Sequence, residues 1–186
     1  MSTIPPLVLV HIGDTIPTYI EHCVNQAIVF GNTHIYLIIS KNTGGLSPSV
    51  ESAFPKVNII YYEDLPLSPS HLFFKRIQFL PPGFWTYTTE RLFYLESFMK
   101  SKNIENVFHI ENDVLLYYNL EKLIPIFNNL IDDSVKNIQS HSLISTRKNS
   151  LFITPIGEDY ASCAFMFIHL KFIDFTKFTK EVFLVF

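Results

Sequence analysis

The chain has 186 residues, of which 48% are hydrophobic and only 17% are charged, and its formal net charge is −3. This composition excludes a disordered chain, and the length fits a single domain over residues 1–186 with a buried core. The 14 Lys and Arg residues are scattered, which disfavours binding to a nucleic-acid backbone. No apolar run reaches the about eighteen residues that cross a bilayer, so we expect a soluble, cytoplasmic protein without a transmembrane segment.

The first half of the chain alternates short apolar runs with a helical pattern. Strands are predicted over residues 7–12, 34–39 and 57–62, with helices over 16–28 and around 48–54. Thr15 is the expected cap of the first helix and Gly31 suits its end. Strands separated by helices are typical of a parallel sheet with right-handed crossovers. We therefore predict an α/β fold with a mostly parallel sheet flanked by helices.

The second half is less regular. Residues 66–84 have no clean period, and we expect an irregular excursion there with at most a short helix or strand. A helix is predicted from Thr88 or Thr89, a strand from Asn106 and a helix capped by Asn119. Further strands are predicted over 138–145 and 161–170, before an amphipathic stretch over 172–182. The chain stops in the apolar run V-F-L-V-F, which predicts a fold truncated at its carboxyl end.

The two cysteines, Cys23 and Cys163, lie in apolar segments. We expect both to be reduced core residues, with a disulfide between them left open. They cannot supply a metal cluster.

Polar residues follow each of the first three predicted strands. In parallel sheets, ligands bind outside the carboxyl ends of the strands, so these residues are candidates for a binding site. The alternative is that they form ordinary connecting loops. The clusters are Gly13-Asp14, Ser40-Lys41 and Glu63-Asp64.

An acidic triplet interrupts the apolar stretch N-V-F-H-I-E-N-D-V-L-L-Y-Y at residues 106–118. Burying an unpaired carboxylate costs several kcal/mol, so Glu111 and Asp113 need solvent or a cation. On an extended segment they would point to one side and Asn112 to the other. Two convergent carboxylates suit Mg²⁺ or Mn²⁺, and the alternative is a solvated acidic turn.

Arg91 is predicted to lie in the first turn of the helix that begins at Thr88 or Thr89. There its guanidinium would add to the helix N-terminus as a site for an anion. The alternative is a surface salt bridge, for instance to Glu90 or Glu96.

Two stretches resemble the central portion of GT-A-fold glycosyltransferases, above all poorly characterised ones of giant viruses, bacteria and protists. They are F-W-T-Y-T-T-E-R-L-F-Y-L-E-S-F-M at residues 84–99 and V-F-H-I-E-N-D-V-L-L-Y at residues 107–117. The resemblance implies a GT-A-like, Rossmann-type sheet and a D-x-D-like motif, here Glu111-Asn112-Asp113. This motif would hold the Mn²⁺ or Mg²⁺ of a nucleotide-sugar donor.

The resemblance also implies which residues lie near that donor. It puts the loops after the first two strands beside the nucleotide and Arg91 beside the diphosphate, with Glu111 and Asp113 as the metal ligands. The implied donor-binding residues are His11, Gly13, Asp14, Ser40, Arg91 and Asn112.

Three functions are compatible with these residues. The leading hypothesis is metal-dependent sugar transfer from a nucleoside-diphosphate sugar to a glycan, protein or lipid acceptor. The second is a truncated domain that binds the nucleotide sugar without transfer. A metal-dependent phosphohydrolase ranks last because it needs more acidic ligands or a histidine pair. The catalytic base is unassigned, and Glu158 and Asp159 are candidates by loop position alone, with a solvated acidic turn as the alternative.

Overall fold

The computed structural model describes residues 4–43, 57–77, 83–127, 129, 151–156 and 160–169. Its strands are β1 Leu7–Val10, β2 Ile35–Ile39, β3 Val57–Tyr61, β4 Asn106–Ile110, β5 Leu151–Ile156 and β6 Tyr160–His169. Its helices are α1 Thr18–Val29, α2 Pro69–Ile77 and α3 Phe84–Ser101, and 3₁₀ turns cover Lys41–Thr43, Tyr62–Asp64 and Leu120–Leu123.

The strands form one sheet in the order β3-β2-β1-β4-β6-β5. β1 pairs in parallel with both β2 and β4, and β2 pairs in parallel with β3. β6 is antiparallel to its neighbours β4 and β5, so it alone of the described strands runs against the others. The predicted α/β fold with a mostly parallel sheet flanked by helices is confirmed.

Both faces of the sheet are covered by helices, which explains the unbroken apolar run of β1. Successive side chains of a strand point to opposite faces, so Leu7 and Leu9 pack with α1 whereas Val8 and Val10 pack with α3. The α1 residues in the first cluster are Ile20, Cys23, Val24 and Ala27. The α3 residues in the second cluster are Tyr94, Leu95, Phe98 and Met99.

Helix α1 begins later than predicted and ends where predicted. Pro17 occupies the cap position in an extended conformation, without a side-chain cap. A proline disfavours helical backbone at the residue before it, so Ile16 cannot start the helix and the predicted Thr15 cap is wrong. At the other end Gly31 has φ +84° and its N–H donates to Ile28 O, as expected of a glycine that ends a helix.

Helix α3 begins at Phe84, about a turn before the predicted start. Thr88 lies inside the helix and donates its hydroxyl to Phe84 O at 2.8 Å, so the predicted threonine caps are wrong. Arg91 is therefore about two turns into α3. Its predicted role at the helix N-terminus is also wrong, because the dipole effect is confined to the first turn.

Helix α2 is the short helix that was allowed for in the otherwise irregular stretch 66–84. Ser68 accepts the N–H of His71 on its hydroxyl at 3.2 Å, and Pro69 takes the first helical position. Serine before proline is a usual helix start, so the sequence did carry this signal. The predicted Asn119 cap is confirmed, since its side chain accepts the N–H of Glu121 at 2.9 Å.

Some of the remaining predictions concern described residues and others do not. The strand predicted over 161–170 is confirmed as β6, and β5 was missed. The predictions for 48–54, 138–145, 172–182 and the carboxyl end lie outside the described residues. Among the described helices, none combines the length and apolar character needed to cross a membrane.

A buried polar cluster joins α2 to α3. Glu90 Oε1 lies 3.0 Å from His71 Nε2 and 2.8 Å from Lys75 Nζ, and it accepts the Tyr94 hydroxyl at 3.2 Å. Burial alone would raise the pKa of Glu90, but the hydrogen bonds and charges of His71 and Lys75 lower it to about 2. The carboxylate therefore favours the folded state when ionised.

Glu90→Gln should lower the free energy of unfolding by roughly 2 kcal/mol at neutral pH, because it removes charge-assisted hydrogen bonds from a buried site. Since the folded pKa is below the ordinary value of 4.5, this stabilisation is complete above 4.5 and is lost as the pH falls toward about 2. Urea denaturation of both proteins from neutral to acid pH measures the difference. The exposed Glu121→Gln serves as the control, and a difference that does not shrink in acid would contradict this account.

Candidate functional site

The candidate site lies where the chain reverses its direction across the sheet. From β1 the chain moves outward to β2 and β3, and it later returns to add β4 on the other side of β1. The connection after β1 leads to α1 on one face, and the connection before β4 comes from α3 on the other face. The carboxyl ends of β1 and β4 therefore lie at the switch point of the strand order, the position at which open α/β sheets commonly bind ligands.

Polar side chains of β4 and of the turn after it hold this strand beside β1. His109 Nδ1 donates to Val8 O at 2.9 Å, and Asn112 Nδ2 donates to Val10 O at 3.0 Å. Burial and the positive charge of Arg91 lower the pKa of His109 to about 4, so its ring is neutral at neutral pH. Sequence reasoning missed His109, although a histidine inside an apolar strand needs such a partner.

The acidic triplet forms a turn and not an extended segment. β4 ends at Ile110, and Val114 N–H donates to Glu111 O at 3.2 Å across Asn112 and Asp113. The alternation of side chains ends with the strand, so the prediction that Glu111 and Asp113 share one side by strand geometry is wrong. Asn112 is buried by its bond to β1, whereas Asp113 is exposed.

An ion pair links α3 to this turn. Arg91 Nη2 lies 3.1 Å from Glu111 Oε1, and the two side chains are 13% and 27% exposed. Glu111 therefore replaces Glu90 and Glu96, the partners considered from the sequence. The structure brings together two of the predicted site residues, and the partial burial makes their attraction stronger than that of a surface pair.

The loop after β1 folds against the side chain of His11. His11 donates its backbone N–H to Ile38 O and its ring Nε2 to Thr15 O, the latter at 2.7 Å. A Cβ on Gly13 would lie 3.0 Å from that ring nitrogen, so glycine permits the close approach. Burial and the positive charge of Arg91 lower the pKa of His11. Asp14 is exposed at the outside of this loop.

Ser40 lies at the carboxyl end of β2 and is engaged by the loop after β3. Its hydroxyl donates to Glu63 Oε1 at 2.5 Å and accepts the N–H of Asn42 at 3.0 Å. Glu63 Oε2 also accepts the N–H of Lys41, whose amine pairs with Asp64. The second and third polar clusters predicted from the sequence thus bind each other.

Cys23 connects α1 to the acidic turn. Its thiol donates to the backbone oxygen of Asn112 at 2.8 Å, a contact that sequence reasoning missed. Burial, together with the charge of Asp113, raises the pKa of this thiol to about 11. Cys23 is a free, buried thiol, as predicted, while the side chain of Cys163 lies outside what is described.

Glu111 and Asp113 carry carboxylate oxygens, the type of donor that a hard divalent cation accepts. In the described residues, no three His, Cys, Asp or Glu side chains gather as a metal site. The described residues therefore do not supply the four protein ligands of a structural zinc site. Mg²⁺ commonly binds one or two carboxylates together with phosphate oxygens and water. Glu111 and the exposed Asp113 could supply the carboxylates.

One buried acceptor at the turn has no partner. Asn112 Oδ1 makes no hydrogen bond within the described part of the chain, although the amide nitrogen of the same side chain is bonded to β1. Such an unpaired group costs about 1–3 kcal/mol. Glu158 and Asp159, the two candidates for the catalytic base, lie outside the described residues.

No protein-family model matches the chain, and no curated protein does. The chain is similar to a solved structure, the glycosyltransferase GlyE of Streptococcus pneumoniae TIGR4. The two are 10% identical in sequence and superpose with a TM-score of 0.45. The match covers 96% of this chain and 36% of that one, so the chain spans little more than a third of the length of GlyE.

Arg91→Met should raise the pKa of His11, because it removes a positive charge that disfavours the protonated imidazole. An NMR titration of the histidine ring protons measures this pKa. Arg76→Met is the matched control, since Arg76 lies on the exposed side of α2. An unchanged His11 pKa in Arg91→Met would contradict the arrangement described above.

Proposed function

We propose that the chain binds a nucleoside-diphosphate sugar together with Mn²⁺ or Mg²⁺ and transfers its glycosyl group. The observation that carries this proposal is the Arg91–Glu111 ion pair beside the carboxyl end of β4, at the switch point of the strand order. A cationic and an anionic group that meet there suit a ligand that carries both signs of charge, as a metal diphosphate does. The resemblance of residues 84–99 and 107–117 to GT-A-fold enzymes points the same way.

Arg91 is the residue that we assign to the diphosphate. A guanidinium matches phosphate oxygens in a two-pronged geometry and keeps its charge at any ordinary pH. In the free protein it is paired with Glu111 through one nitrogen. A phosphate can compete for the guanidinium because the pair is not fully buried.

Asp113 and Glu111 are the residues that we assign to the cation. Asp113 is exposed, and Glu111 uses Oε1 for Arg91, which leaves Oε2 for a ligand. When bound, the cation would stabilise the negative charge that develops on the departing diphosphate. Asn112, between the two, holds the turn through Val10 O.

The loop after β1 is assigned to the nucleotide side of the donor. His11 is held by Thr15 O and its lowered pKa keeps it neutral, so it adds no charge beside Arg91. Gly13 lacks a Cβ, which lets other groups approach its backbone closely. Asp14 is exposed in this loop. Ser40 follows the carboxyl end of the neighbouring strand β2 and is assigned to the same side of the donor.

Asp113→Ala should abolish the Mn²⁺-dependent part of nucleoside-diphosphate-sugar binding and lower any transfer or donor hydrolysis by on the order of 10²- to 10³-fold. Calorimetry with a panel of nucleotide sugars, with Mn²⁺ or with EDTA, measures binding, and release of the nucleoside diphosphate measures turnover. Glu121→Gln is the control, because this exposed acid lies in the 3₁₀ turn Leu120–Leu123 and not in the acidic turn.

The outcomes of that experiment separate the competing functions. Binding with turnover supports transfer, and binding without turnover supports a nucleotide-sugar-binding domain. If the wild-type chain binds no nucleotide sugar, or if Asp113→Ala binds it with an unchanged response to Mn²⁺, the assignment fails.

Arg91→Met should weaken binding of a nucleoside diphosphate by about 10- to 100-fold while leaving that of the parent nucleoside nearly unchanged, because a charge-assisted contact to phosphate is lost. Arg91→Lys keeps the charge without the two-pronged geometry, so its affinity for the nucleoside diphosphate should lie between those of the wild type and Arg91→Met. Competition binding with both ligands gives the ratio. Equal losses for nucleoside and diphosphate would mean that Arg91 acts on the fold and not on the phosphates.

A further inference from the structure

The outer side of α2 is apolar where a surface helix is ordinarily polar. Leu72 and Phe73 are 52% and 47% exposed, and Arg76 is exposed with them. At about 100° per residue these three side chains share one side of the helix, with Arg76 between the other two. The opposite side carries His71 and Phe74, which pack on Phe93 of α3.

The charge of this region differs in sign from that of the whole chain. Residues 65–89 contain no Asp or Glu, although the protein as a whole has a net charge of −3. The cationic side chains of the stretch are Lys75 and Arg76, and Lys75 is already paired with Glu90. Arg76 has no carboxylate partner within the described residues, so its charge is available on the apolar side of α2.

We infer that the outer side of α2 docks on the surface of an anionic lipid bilayer. Leu72 and Phe73 would enter the boundary between headgroups and acyl chains, and Arg76 would lie at the lipid phosphates. Apolar and aromatic residues beside a cation, without acids, are the composition of helices that lie in a membrane interface.

The charges favour a bilayer over a second copy of the chain. In a two-fold dimer built on the outer side of α2, residues 65–89 of the partner would offer no carboxylate to neutralise Arg76. An anionic membrane supplies that negative charge. The inference uses no residue of the candidate site and is independent of the proposed function.

Co-sedimentation of the full chain with phosphatidylcholine vesicles, with and without phosphatidylserine, tests the inference. We expect binding to the vesicles that contain phosphatidylserine, and weaker binding as salt screens the charge. Phe73→Ser and Arg76→Glu should each lower the partition coefficient by about tenfold. Circular dichroism verifies that each variant remains folded.

The controls lie on the other side of the sheet, where α1 packs. Val29→Ser removes an apolar side chain that is even more exposed than Phe73, and Lys122→Glu reverses the charge of another exposed cation. Both should bind vesicles as the wild type does, which would support the inference. Failure of the wild type to bind, equal binding to neutral vesicles, an equal loss in the controls, or self-association that Phe73→Ser abolishes would overturn it.

Discussion

The hydrogen bonds that His109 and Asn112 make to the backbone of β1 hold β4 beside that strand and fix where the acidic turn emerges. Apolar packing alone would tolerate a slip of the strand by two residues, since the same side chains would still face each helix. The donors to Val8 O and Val10 O do not tolerate such a slip, because a buried carbonyl and a buried amide would both lose their partners. The position of Glu111 opposite Arg91 follows from this register.

The charges around that turn balance locally. Arg91 lies among two neutral histidines and one carboxylate, and its charge is among the reasons that the histidines stay neutral. A partly buried pair of this kind is costly to break by removing one partner, yet an incoming anion and cation can replace the partners without leaving either charge unpaired. The same balance that stabilises the free protein thus suits exchange with a charged ligand.

The strands β1 to β4 and β6 were predictable from the sequence, while β5 and the contacts of the site were not. β1, β2 and β4 are short apolar runs, and burial on both faces requires little else of them. Helix α3 was placed too late because F-W-T-Y has modest helix propensity, whereas packing decides the helical state in the protein. That error hid the Arg91–Glu111 pair, because the side chains that Arg91 can reach depend on its position along the helix. The turn at Asn112 was hidden by assuming that the strand continues.

The hydrogen bond of Cys23 links the acidic turn to helix α1. Its thiol reaches the backbone oxygen of Asn112 from α1, and at neutral pH it is almost wholly in the unreactive protonated form. An alkylating reagent can reach the sulfur only when α1 and the turn separate. The rate of its labelling therefore reports how often this junction opens, and a ligand that holds the acidic turn against α1 would slow that rate without touching the cysteine.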